Sequence, residues 1–196
     1  VAGDTHVSRY RPSTAESETL FGGLSQAYGV AVSGNGTVAV ADLGTGKVHS
    51  VRSGQSEVLA SGLQDPTGVA FTAGGTLLVS EAGAGRVVSV TSGGVDTLVD
   101  GLERPQGILV RDGKLYIVDA GSKQLISVDL DTKAQQIIAR HLPVGAPEGV
   151  TPKPLKGIIP FAGPQGPFAG IAAGPDGTLY VSADAEGSIL AIREQR

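Results

Sequence analysis

Four acidic residues recur at matching places along the chain: Asp42, Glu81, Asp119 and Asp184. Each closes a short apolar run and precedes a turn of small residues. A ring of carboxylates presented by successive repeats can bind a divalent cation, calcium or zinc, or a cationic ligand. The same residues have a plainer use, because a carboxylate accepts hydrogen bonds from the backbone of its own turn, here with Lys47, Arg86 or Lys123 nearby. The histidines are His6, His49 and His141. His49 stands mid-run where sibling positions carry Val, Ile or Leu, which reads as a packed side chain. His6 matches the Lys47 position and reads as exposed. His141 opens a proline-rich stretch and is the general-base candidate if the chain is an enzyme. With no cysteine, disulfides, thiol chemistry and Cys-based zinc sites are excluded. No Ser-His-Asp spacing or zinc-ligand cluster appears. Gly83-Ala84-Gly85 reads as a hairpin turn, since no helix follows it as a phosphate loop requires.

A second set of candidates is defined by variation. The stretches Ser25–Tyr28, Gln64–Thr67, Glu103–Gln106 and Gln165–Ala169 differ from one another while their surroundings do not. Tyr28, Asp65, Arg104, Gln106 and Phe168 are therefore the expected ligand-binding groups. Variable loops on a constant frame are what a recognition surface looks like; they are also what unconstrained loops look like.

The frame is a repeat. Gly23-Leu24, Gly62-Leu63 and Gly101-Leu102 are spaced by 39 residues, as are Gly29, Gly68 and Gly107. Between Gly62 and Val99 lie four short apolar runs rich in Val and Leu and punctuated by Gly, which read as strands. Four strands in about forty residues make one blade of a β-propeller. The fold expected is all-β, with four-stranded antiparallel blades. His6–Tyr10 aligns with the third strand of the later blades and Glu18–Phe21 with the fourth, so the chain opens on a half-blade. Three full blades follow, and the last, from Phe168, has three strands. Either the Glu18–Phe21 strand completes the last blade, or the chain is an arc of a larger ring. The arc is the favoured reading, its open ends needing self-association or a second segment to complete the ring.

The period breaks once. From Gly107 to Gly170 is 63 residues, an insertion of 24. The added segment, 140–167, is rich in Pro and Gly and cannot be a regular helix or interior strand. It reads as a lid, a docking arm or a spacer.

Composition narrows the partners. The net charge is −4 with 17% charged residues, which leaves no basic footprint for nucleic acid. No apolar run approaches the roughly 20 residues of a membrane-spanning helix. Four Phe, four Tyr and no Trp weaken the case for a sugar platform. A Gly-rich, sparsely charged β chain without cysteine is expected outside the cell or in a bacterial periplasm, with the cytoplasm as the alternative. Opening on Val1, with no Met anywhere, it reads as a processed or excised piece of a longer product.

The pattern G-[VI]-A-x-x-x-x-G-T-[LV]-x-V-[AS]-[DE]-x-x-x-x-[KR]-V runs from Gly29 to Val48 and from Gly68 to Val87. It recurs less fully from Gly107 to Leu125 and from Gly170 to Ile189. It resembles the NHL repeat and the related SMP-30 (gluconolactonase-like) propellers, which implies a mainly six-bladed ring. The resemblance implies two functions: a binding or assembly module using loops on one face, with no cofactor, or a metal-assisted lactonase-like hydrolase. The hydrolases of that family use an acid, an Asn and an Asp on one cation. The sole asparagine, Asn35, falls in a hairpin on the opposite face, so that ligand set does not carry over. A protein, peptide or small-molecule ligand is the partner expected.

Overall fold

The computed structural model describes residues 5–146, 150 and 168–193. Among them are seventeen strands and no helix. Strands β1 (His6–Arg11) and β2 (Glu16–Gly22) form a two-stranded antiparallel pair. The first full blade is β3 (Ala27–Val32), β4 (Val38–Asp42), β5 (Lys47–Arg52) and β6 (Gln55–Ala60). The second is β7 (Pro66–Phe71), β8 (Leu77–Glu81), β9 (Arg86–Thr91) and β10 (Gly94–Val99). The third is β11 (Pro105–Arg111), β12 (Lys114–Asp119), β13 (Gln124–Asp129) and β14 (Gln135–Ala139). The last is β15 (Ile171–Ala173), β16 (Leu179–Ala183) and β17 (Ser188–Ile192). Neighbours within each blade are sequential and antiparallel, as short hairpin connections dictate.

β2 pairs with β1, and β17 with β16. Among the described residues the Glu16–Gly22 strand therefore does not complete the last blade.

Alternation along each strand sends one set of apolar residues to the preceding blade and the other to the following blade. Ala39, Ala41 and Val48 of the first blade pack on Val69, Leu77, Val79 and Val88 of the second. Leu78 and Val87 of the second pack on Ile108, Leu115, Ile117 and Ile126 of the third. Tyr116, Val118 and Leu125 of the third pack on Leu179, Val181 and Leu190 of the last. These are three copies of one sandwich, and each fully buried Val or Leu contributes about 1.5–3 kcal/mol.

The inner strands approach closely. A Cβ on Gly29 would stand 2.4 Å from Thr67 O, on Gly68 2.3 Å from Gln106 O, and on Gly107 2.5 Å from Ala169 O. That spacing is why glycine recurs there. Ser80 Oγ donates to Gln106 O at 2.6 Å and Gly107 N to Ala169 O at 2.9 Å, stitching inner strands across blades.

At the other end, Val7 and Leu24 pack on Val40, with Phe21, Val30 and Val38 beside them. Beside the free edge of β1 lies a groove of about 920 Å³, lined by Val7, Tyr10, Leu20, Val30, Val32 and Val38 among others.

A candidate recognition face above buried carboxylates

The second-strand acids end β4, β8 and β12, or follow β16. In each full blade the acid reaches up to the loop that enters its own inner strand. Asp42 Oδ1 accepts from Gln26 N at 2.7 Å, and Oδ2 from Ser25 N at 3.2 Å and Thr45 Oγ at 2.7 Å. Glu81 Oε1 accepts from Gln64 N at 2.8 Å, and Oε2 pairs with Arg86 Nε at 2.7 Å. Asp119 accepts from Glu103 N at 3.0 Å, Arg104 N at 2.7 Å, Gly121 N at 3.2 Å and Ser122 Oγ at 2.8 Å. All three are buried. Burial alone raises the Asp42 pKa, but the bonds from Gln26, Thr45 and Ser25 outweigh it and hold the carboxyl below its ordinary value.

These carboxylates clamp the variable loops from beneath. Of the turn bonds expected, Asp119 takes the backbone Gly121 N, Asp42 takes the Thr45 hydroxyl and Glu81 pairs with Arg86 beyond its turn; all three also hold the fourth-to-first-strand connection some sixteen residues earlier, which no local pattern revealed. Among the described residues no three His, Cys, Asp or Glu side chains stand close enough to hold a metal ion; the structure does not bring the four acids together.

Asp184 differs. Its Oδ1 accepts from Gly145 N at 2.8 Å, while the buried Oδ2 has no hydrogen-bond partner among the described residues. Lys123 Nζ donates to Val144 O at 3.0 Å and Ala146 O at 3.3 Å. The first residues of the long segment are thus gripped as the other loops are, and Leu142 and Val144 are core residues. Within the stretch assigned to the insertion, 147–149 and 151–167 lie outside the described residues.

His141 has a structural place that the spacing concealed. Leu142 N donates to Lys123 O at 3.0 Å, as Leu63 N does to Gly46 O at 3.0 Å and Leu102 N to Gly85 O at 2.9 Å. His141-Leu142 is therefore the fourth Gly-Leu turn, with His141 at φ 55° where Gly62 and Gly101 have φ 76° and 70°. The signal was available as the 40-residue step from Gly101, masked by the change of residue type. The side chain is exposed.

Of the five proposed ligand groups, two meet. Tyr28 and Phe168 form an edge-to-face pair with centroids 5.6 Å apart and planes at 78°. Tyr28 belongs to the first full inner strand and Phe168 precedes the last. Four sheets stacked flat at about 10 Å per step would hold them about 30 Å apart. Ring contact requires the four inner strands to curl around an axis, with this pair at its loop-side mouth. The fold is a β-propeller.

Gln106 is buried, and its Oε1 accepts from Ala169 N at 2.7 Å, bracing the third blade to the last. Asp65 and Arg104 are exposed on their own loops. Asp65 adopts φ 49°, and its carbonyl accepts from Ala82 N at 3.0 Å. The arrangement offers an aromatic pair, one free-standing acid side chain and one base on loops anchored from below.

Comparison with known proteins agrees on architecture. A streptogramin B lyase structure is 13% identical, with a TM-score of 0.67 over 98% of this chain and 63% of that one. A virginiamycin B lyase from Staphylococcus aureus is 14% identical, with a TM-score of 0.64 over 98% and 64%. A chain in a nidogen/laminin complex is 15% identical, with a TM-score of 0.69 over 97% and 75%. At such identity the likeness is one of fold. The chain spans slightly under two thirds of the length of the lyases. No family profile matches the sequence, and no curated protein sequence does.

Proposed function

We propose that this chain is a noncatalytic binding and assembly module of the NHL type, recognising a protein or peptide through the loop face around Tyr28 and Phe168. One observation carries the reading. The recurring acids of the three full blades are consumed in holding loops, whereas the side chains those loops display (Asp65, Arg104 and the Tyr28–Phe168 pair) differ from blade to blade. Rigid loops with varied tips suit recognition, because little conformational freedom remains to be lost on binding. The motif from Gly29 to Val48 and its copies support a propeller of the NHL or related kind. The nidogen/laminin neighbour, a propeller in a protein–protein complex, is in keeping with the reading. Among the described residues β1 and β17 each have one unpaired edge, which supports the assembly half of the reading.

Panning a random peptide library on the immobilised chain tests the binding half. Selected peptides should lose at least tenfold in affinity on Tyr28→Ala or Arg104→Ala and none on Asn35→Ala, which lies at the opposite end of the blade. Equal affinity for all three variants would end the reading.

A second reading, metal-assisted hydrolysis of the lactonase kind, is favoured by Asp184 Oδ2, a buried carboxylate oxygen without a hydrogen-bond partner among the described residues. A calcium or zinc ion should then raise the unfolding temperature of the wild type and not of Asp184→Asn. No shift with either ion would remove this reading.

A further inference from the structure

In the second blade one side chain spans the space between the acid that ends the second strand and the fourth strand. Arg86 starts β9 opposite Glu81. Its guanidinium gives Nε to Glu81 Oε2 at 2.7 Å and Nη1 to Thr97 Oγ at 3.2 Å on β10. The third blade has Gln124 at the Arg86 position, opposite Asp119. Ile137 takes the register place of Thr97, since Ile126–Ile137 and Val88–Thr97 are equivalent cross-strand pairs. There the space is an open notch, with a volume of about 420 Å³.

Its chemistry is defined. Leu102, Ile126 and Ile137 give an apolar floor; Gln124 stands at the wall; Asp100 and Glu103 add two carboxylates, and no Lys or Arg lines it. Neither Asp100 nor Glu103 is in an ion pair among the described residues. Asp119 also borders the notch but is saturated by its four donors, so a cation entering it would be met by Asp100 and Glu103. An apolar floor beneath a carboxylate rim matches an aliphatic stem that ends in a planar cation. The size lies within the range of ordinary ligand pockets.

We propose that the third-blade notch binds an arginine side chain of a partner polypeptide, in the place that Arg86 fills in the second blade. The stem lies on Ile126 and Ile137, and the guanidinium donates to the Asp100 and Glu103 carboxylates and the Gln124 side-chain oxygen. This surface shares the Glu103–Gln106 loop with the recognition face but uses none of Tyr28, Asp65, Arg104, Gln106 and Phe168, and it does not depend on the function proposed for them.

The test is a titration of the whole chain with capped Gly-Arg-Gly, capped Gly-Lys-Gly and agmatine, read from the side-chain amide NMR signals of Gln124, Gln135 and Gln136. The arginine peptide should shift these signals saturably, and the lysine peptide should bind at least threefold more weakly. Gln124→Arg, which fills the notch with its own guanidinium, should abolish saturable shifts while keeping a folded amide spectrum. Asp100→Asn with Glu103→Gln should weaken the arginine peptide at least fivefold without touching the core. Absence of saturation with wild type, or equal binding by wild type and Gln124→Arg, would overturn the proposal. Agmatine binding more tightly than the peptide would overturn the polypeptide as the source of the guanidinium.

Discussion

The second and the last blade carry the same kind of side chains on the same face, and they meet opposite fates. Leu78 and Val87 of the second blade are 2% and 0% exposed; Tyr180 and Ile189, at the corresponding places in the last, are 39% and 73% exposed. Strand pairing and register are equivalent in the two. The difference is the following blade, which in the second case presents Ile108, Leu115 and Ile117. A blade is therefore only half of a hydrophobic unit, and its stability belongs to the interface, as in other repeat architectures.

That contrast is breakable. Leu78→Ala should cost about 2–5 kcal/mol by urea unfolding, and Tyr180→Ala less than about 0.5 kcal/mol, as for an exposed site. If both cost the same, the last face is covered in solution, and light scattering should then show more than one chain per particle.

The inner-strand glycines sharpen the comparison. Gly68→Ala would set a methyl 2.3 Å from Gln106 O, whereas at Gly170 the nearest atom is 3.5 Å away, on the Phe168 ring. The first should cost about 1–3 kcal/mol through overpacking; the second should leave the urea midpoint within error. Equal effects would mean that another strand packs against β15.

The clamping acids divide in the same way. Asp42→Ala leaves the Ser25 and Gln26 N–H groups without their acceptor and should cost about 1–3 kcal/mol. Asp184→Ala removes one such bond and should cost about 1 kcal/mol or less. Thermal melts of the two variants decide the order.

The smallest effect concerns the half-covered first blade. His49 faces Phe21 with ring centroids 5.4 Å apart, and its Nε2 is buried without a partner among the described residues. Burial holds its pKa below the ordinary 6.5, against the pull of Asp42 and with a push from Lys47. The neutral form is favoured in the fold, so its contribution is complete above about pH 6.5. It is lost as the pH falls from there toward the folded pKa. Wild type should lose stability over that window relative to His49→Gln, by tenths of a kcal/mol in parallel denaturant curves. A flat difference between the two would mean that His49 is solvated.

Most of the strand order was legible from one chain because the repeat states it several times. Val-rich alternation, Gly hairpins and a 39-residue period are local properties, and seventeen strands follow from them. The site was less legible. Asp42, Glu81 and Asp119 stood out as a set, but their partners are backbone N–H groups some sixteen residues away, in loops whose side chains vary. Backbone donors leave no mark on residue type. Gln106 stands out because it varies, and its bond from Ala169 N across the blades is a further role that variation does not reveal. His141 stands out as a histidine, and its residue type hides the glycine-like turn of its backbone.

The sequence by itself determined the blade: which residues form strands, which face each side chain takes, and where the acids recur. These depend on periodicity and turn chemistry, which act over a few residues. Only the tertiary structure decided which faces are covered, that Tyr28 meets Phe168 across the axis, and that the notch Arg86 fills in one blade stands open in the next. Those outcomes depend on which surfaces the curl of the strands brings together, and no single repeat contains that information.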